Sequence, residues 1–199
     1  MILPRDFYSG SAVQVAPRLI GCRLVRVLDG TRLAGIITET EAYQGEEDQA
    51  CHARSGRTPR TEPMYGEPGR AYVYFTYGMH WLLNAVTDAP GTPAAVLIRA
   101  ISPVEGTQRM AELRPMLLRQ PGWLNGPAKL AQALGIDGNL NQADLCSEQS
   151  GLFLEEGISI PPGALRKDAR VGIKTVPEPW RSKLWRWQLD PTCLRKVLG

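Results

Sequence analysis

Residues 23–43, RLVRVLDGTRLAGIITETEAY, decide the fold. Asp29-Gly30 divides them into two β-prone runs, 23–28 and 32–43. An Asp-Gly pair between such runs signals a hairpin, because its turn needs residues that accept positive φ. On the second run Leu33, Gly35, Ile37, Glu39, Glu41 and Tyr43 share one face by the two-residue period of a strand. That face begins apolar and ends in two carboxylates and a phenol. A strand that leaves a core and finishes at a cleft has this pattern.

Working outward, Ser9-Gly10-Ser11 predicts the cap of a helix over 11–20 that Gly21 ends, with Val13, Ala16, Leu19 and Ile20 inward. Pro17 opposes that helix unless it falls in the first turns. Residues 44–70 carry Gly, Pro and charge without period and read as a long ordered loop, a feature that is usually functional or disordered. Residues 72–76 and 79–84 read as two strands joined at Tyr77-Gly78, and 96–100 as a buried strand. Ser102-Pro103-Val104-Glu105 has the form of a capping box and predicts a helix to about Leu113. Asn125-Gly126-Pro127 predicts the cap of a second helix with Leu130, Ala133 and Leu134 inward and Gly135 as its stop. Asn141 is read as the cap of a third, short turn. Residues 152–155, 158–160, 171–173 and 184–189 are late strand candidates. The expected fold is α+β (mixed α/β): one domain, 1–199, with mostly antiparallel strands.

The 199 residues, 43% hydrophobic and 22% charged, suit one domain with a full core. The longest aliphatic run, residues 94–98, is too short to span a bilayer. Pro4, Arg5 and Asp6 stand where a signal peptide would be apolar, so the expected location is the cytosol. The four cysteines, 22, 51, 146 and 193, show no paired spacing, and Cys-x-x-Cys and His-x-Glu patterns are absent, so no metal site is expected. Net charge is +3, but residues 166–199 hold nine Lys/Arg against three Asp/Glu. Clustered positive charge is either the footprint of a polyanion partner or a solvated basic surface.

The chemistry-bearing residues crowd into 38–84, which carries both histidines. Glu41, at a strand end beside aromatic residues, is the candidate general base; the alternative is a solvent-facing glutamate. Glu39 lies two residues away, roughly 6.5–7 Å along a strand, at the lower end of the carboxylate separation of inverting glycosidases. His52 suits a hydrogen-bond donor or a stacking partner, or a loop histidine satisfied by backbone. Tyr43, Tyr72 and Tyr74 suit the walls of a flat-ligand pocket, or sheet packing. Arg99, after an aliphatic run, is expected half buried with a carboxylate partner. Tyr77, at a hairpin tip, suits a wedge between stacked bases, or a ring folded back on its own domain.

At these residues the sequence resembles the alkyladenine (3-methyladenine) DNA glycosylase family. The matching strings are Glu39-Thr40-Glu41-Ala42-Tyr43, the loop to His52, Gly56-Arg57-Thr58-Pro59-Arg60, Tyr72-Val73-Tyr74 through Tyr77-Gly78-Met79 to Asn84, Arg99, Asn125-Gly126-Pro127-Ala128-Lys129-Leu130 and Arg170-Val171-Gly172-Ile173. They run in order over nearly the whole chain. The resemblance implies a monofunctional glycosylase that flips a damaged purine from double-stranded DNA and hydrolyses its N-glycosidic bond. Glu41 then takes the general-base role, and Arg99 and the Val171 carbonyl help hold the attacking water. Tyr43, His52 and Tyr74 cup the flipped base, and Asn84 crowds the exocyclic amine of normal guanine. Tyr77, with Met79 beside it, enters the gap left by flipping. The implied fold has a curved antiparallel sheet, flanking helices and a protruding β-hairpin. No cofactor, metal or obligate protein partner is implied, and a monomer is the simplest expectation. The sequence departs from the family pattern at residues 176–180, where two prolines interrupt a more helix-compatible stretch. Two other readings remain at this point: a damaged-DNA-binding module without catalysis, and a carbohydrate glycosidase using Glu39 and Glu41.

Overall fold

The computed structural model describes residues 1–114 and 122–193. The Asp-Gly hairpin forms as read: β1 (Arg23–Leu28) pairs antiparallel with β2 (Thr31–Gln44), Leu28 opposite Thr31. Strand β2 organises the sheet. One edge pairs with β5 (Ala94–Glu105); the other pairs first with β1 and then with β8 (Arg186–Leu189). Beyond β5 lie β4 (His80–Val86) and β3 (Ala71–Thr76), beyond β1 lies β6 (Leu152–Glu155), and β7 (Leu165–Asp168) pairs with β8. Every strand pair is antiparallel, so the described residues form one eight-stranded sheet.

The main core lies between this sheet and its helices. Helix α1 (Ala12–Leu19) starts at a capping box in which Ser11 and Gln14 satisfy each other's backbone N–H groups. It buries Ala12, Val15, Ala16 and Leu19; Val13, expected inward, is only half buried, and Pro17 sits in the second turn. The Thr40 hydroxyl donates to the Ala16 carbonyl at 2.9 Å and fastens α1 to β2.

The continuous alternation expected for β2 is broken. Ile37 pairs with Ile101 and Glu39 with Ala100, which leaves Thr38 as an extra residue; Thr40 then pairs with Ile98, which leaves Arg99 extra on β5. A β-bulge bends a strand and re-aims the side chains beyond it. Leu33 and Ile37 therefore belong to the main core, as do Ala42 and the Thr40 contact, whereas Glu39, Glu41 and Tyr43 turn to the opposite side. The two bulges carry the strand from core to cleft and bring Arg99 to the carboxylates.

Other expectations need correction. Residues 102–105 belong to β5, not to a helix; Pro103 lies at a third register shift, where a ladder tolerates a residue without an N–H. Helix α2 (Thr107–Leu113) starts after Gly106, whose φ is 69° and whose added Cβ would lie 2.5 Å from the Arg32 carbonyl. Helix α3 (Pro127–Ala133) starts within the expected Asn125-Gly126-Pro127, with Gly126 as its N-cap, and buries Leu130 and Ala133 as read. Asp137, not Asn141, caps the short turn at Gly138–Leu140, while Asn141 Oδ1 accepts the Val73 N–H. Residues 158–160 and 171–173 are not strands, 184–189 shortens to β8, and β7 was not anticipated.

The β3–β4 hairpin ends at Tyr77 and Gly78, with φ of 52° and 68°, the sign a primed hairpin turn requires. Just below the turn, Phe75 pairs across the hairpin with Trp81, their ring centroids 4.8 Å apart. Among the described residues no helix is long and apolar enough to cross a membrane.

Candidate active site

Glu41 is fully buried, and its three hydrogen-bond partners, Tyr43, Arg99 and Val171, line a cavity of about 310 Å³ together with His52, Tyr74 and Asn84. Three groups donate to its carboxylate: the Val171 N–H at 2.6 Å, the Tyr43 hydroxyl at 2.8 Å and Arg99 Nη1 at 3.3 Å. Together they fill three of the about four lone-pair sites of a carboxylate. Burial pushes the Glu41 carboxyl above its ordinary value, and Arg99, the Val171 N–H and Tyr43 only partly offset this. A carboxylate destabilised by burial yet fixed in direction is suited to general-base work.

Arg99 is held between two acids. Its Nε donates to Glu39 Oε1 at 2.9 Å, and the same oxygen accepts Arg186 Nη1 at 3.2 Å. Arg186 continues to Asp168 at 2.7 Å. The half-buried arginine and its carboxylate partners are as the sequence implied. Glu39 is gripped by two guanidiniums and lines a different cavity from the one walled by Tyr43, His52 and Tyr74, which removes the observation that favoured a two-carboxylate glycosidase.

The pocket wall is aromatic. His52 meets the Tyr74 ring edge-on at 4.6 Å, and Tyr72 lies 5.3 Å from Tyr74. His52 Nδ1 and the Tyr72 hydroxyl are 3.0 Å apart. Burial, with help from Arg60 and Arg54, lowers the His52 pKa to about 4, so its ring is neutral at neutral pH. Asn84 is buried, its amide donating to the Tyr72 carbonyl at 3.0 Å across the β3–β4 pair. The wall is thus held by the sheet on one side and by the loop carrying His52 on the other.

That loop is anchored by two residues that sequence reasoning did not single out. Arg170 and Asp48 are fully buried, and Arg170 Nη2 donates to Asp48 Oδ1 at 2.8 Å. The same guanidinium donates to the Ala42 carbonyl at 2.9 Å and lies 4.9 Å from the Tyr43 ring and 5.0 Å from that of Trp185. Asp48 also accepts from the backbone N–H groups of Gln44 and Ala50. Nothing local distinguishes Asp48 from the neighbouring Glu46 and Glu47; only the fold pairs it with Arg170.

Tyr77 and Met79 stand at the hairpin tip, 83% and 67% exposed, so Tyr77 is not folded back on the body. The positive C-terminal stretch is less available than its count implies. Arg166, Arg170, Arg181 and Arg186 are in ion pairs, and Lys183 lies over the rings of Trp180 and Trp185. On the loop that carries His52, Arg57 pairs with Glu62 and Arg60 lies 5.4 Å from the Tyr74 ring. Arg195 and Lys196 lie outside the described residues.

The family model described as Methylpurine-DNA glycosylase matches residues 6–192. A protein of Methanocella arvoryzae named "Putative 3-methyladenine DNA glycosylase" is 45% identical over 184 residues, covering 90% of each chain. Proteins of the same name from Carboxydothermus hydrogenoformans and Salinibacter ruber are 46% identical over 173 residues and 43% identical over 196. The alignments cover 87% of this chain and 89% of the relative in the first case, and 93% and 91% in the second.

Proposed function

The chain belongs to the methylpurine-DNA glycosylase family and is a DNA glycosylase, a hydrolase of N-glycosyl bonds; we propose that it flips alkylated or deaminated purines out of duplex DNA and cleaves them with a water activated by Glu41. The observation that carries this reading is the placement of a buried carboxylate, held by Val171, Tyr43 and Arg99, behind an aromatic cavity.

The flipped purine enters between Tyr43, His52 and Tyr74. An alkylated, electron-poor base stacks well on electron-rich phenol rings, and extrusion costs least at a damaged or mispaired base. Neutral His52 offers a ring N–H toward the base without placing a second cation beside a positively charged lesion. Asn84, fixed through its amide, crowds the pocket beside the base and disfavours a normal guanine amine.

At the sugar, the bond from C1′ to the purine nitrogen breaks and its electron pair leaves with the base. Positive charge develops on the sugar, as in other glycoside cleavages, and the Glu41 carboxylate stabilises it. A water bonded to Glu41 attacks C1′ and gives Glu41 its proton, leaving an abasic site and the base; a cationic alkylated purine leaves as the neutral base, and a neutral deaminated purine leaves as its anion and takes up a proton from solvent. Arg99 and the Val171 carbonyl position that water. Tyr77, with Met79, enters the stack in place of the extruded nucleotide. The test is release of free base from duplexes carrying single alkylated or deaminated purines, followed under single-turnover conditions.

A further inference from the structure

Glu39 takes no part in the chemistry above, yet two guanidiniums from two different strands converge on it. It lies buried one strand period from Glu41, on the side that the Thr38 bulge turned toward the cleft. Its Oε1 accepts from Arg99 on β5 and from Arg186 on β8. Arg99 spans the two acids, with its shorter bond to Glu39 at 2.9 Å and its longer one to Glu41 at 3.3 Å. We propose that Glu39 is a positioning residue that holds Arg99 and Arg186 away from full pairing with Glu41 and so sets the basicity of the catalytic carboxylate. The inference rests on the reading of Glu41 as the general base.

The argument follows from charge and from the bulge. Arg99 is the extra residue on β5, so its direction is decided by its side-chain partners rather than by the ladder. Glu39 and Glu41 are balanced by Arg99 and Arg186, and the exposed Asp168 caps the far end of Arg186. The remaining groups facing Glu41 are the Tyr43 hydroxyl from its own strand, the Val171 N–H from the segment after β7, and Tyr74 from β3. None of these can replace a second negative charge. With Glu39 neutral, Arg99 serves Glu41 alone among the acids, Arg186 keeps Asp168 and the Ala169 carbonyl, and the like-charge repulsion between the acids is gone. All three changes favour ionised Glu41 and lower its proton affinity. A less basic carboxylate is a weaker acceptor of the water proton. The direction of the Glu41 shift, upward with Glu39 among its causes, agrees with this.

The test is the pH dependence of single-turnover base release from an alkylated-purine duplex by wild type, Glu39→Gln, Glu39→Asp, Arg186→Gln and Glu41→Gln. Circular dichroism and lesion-DNA binding report whether each variant is folded. Glu39→Gln is expected to move the acid limb about one unit or more toward lower pH, within the usual range for a neighbouring charge, and to lower the plateau rate. Glu39→Asp keeps the charge and restores the limb toward wild type. Arg186→Gln removes a cation and moves the limb to higher pH, which a loss of rigidity alone would not do; it carries the test if Glu39→Gln does not fold. Lower rates with an unmoved limb in folded Glu39→Gln and Arg186→Gln overturn the proposal and leave Glu39 a structural ion-pair partner. A wild-type acid limb that survives in Glu41→Gln overturns the catalytic reading of Glu41 itself, and the proposal with it.

Discussion

Val171 donates its backbone N–H to Glu41 at 2.6 Å, and the residue before it, Arg170, is buried against Asp48. The segment after β7 is therefore fixed at once to the candidate base and to the loop that carries His52. Two pocket walls and the carboxylate share one anchor.

Asp48→Asn is nearly isosteric but leaves Arg170 as an uncompensated charge inside the protein. Removing one partner of a buried ion pair costs roughly 3–5 kcal/mol. Urea unfolding should show a loss of that order, with base release reduced in the folded fraction because Val171 and Tyr43 lose their common support. A loss of about 0.5 kcal/mol or less, typical of a surface change, would mean that the pair anchors nothing.

The hairpin 23–43, α1 and the β3–β4 hairpin were legible because each depends on local signals: a turn pair, a capping box and strand periods. The capping-box pattern at Ser102-Pro103-Val104-Glu105 misled because β5 pairs with β2 over that stretch, and tertiary pairing outweighs a local cap. The bulges at Thr38 and Arg99 leave no mark in the sequence, since an extra residue is defined only against its partner strand. The strand period therefore placed Glu39, Glu41 and Tyr43 together correctly, but put Leu33 and Ile37 on their face wrongly. Asp48 with Arg170, and Arg186 with Glu39, join residues more than a hundred positions apart. The sequence offered acids and arginines but nothing to say which would meet.

His52 gives a stability signature below neutral pH. Its folded pKa, about 4, lies below its ordinary 6.5. As pH falls from about 6.5 to about 4, the unfolded chain takes up a proton that the folded chain refuses, so stability falls with pH. Below about pH 4 both states are protonated and this loss stops growing. The full effect is on the order of 3 kcal/mol. Urea titrations of wild type and His52→Gln should converge across that window as the wild type loses more. Parallel curves would show that His52 is not buried as a neutral ring.

Tyr77→Ala should leave the fold intact, changing stability by about 0.5 kcal/mol or less, as for other exposed positions. In duplex DNA the extruded base leaves a gap that the Tyr77 ring refills. Stacking on one aromatic ring is worth about 1–3 kcal/mol, which corresponds to about 5- to 150-fold in the flipping equilibrium. Stopped-flow fluorescence of an ethenoadenine duplex should report a loss in that range, smaller for a lesion in single-stranded DNA. Flipping equal to wild type in the duplex would remove Tyr77 as the wedge.

The most direct measurement is single-turnover base release by Glu41→Gln beside its affinity for the same lesion duplex. The substitution keeps the shape of the side chain and removes both the proton acceptor and the negative charge. A loss confined to the chemical step lowers the rate of base release and leaves binding nearly unchanged. The prediction is lesion-DNA affinity within about threefold of wild type, the scale of a change under about 1 kcal/mol, with base release reduced by about 100-fold or more, as for loss of a general base. Base release at a rate near wild type would contradict the assignment of Glu41 as the group that activates water.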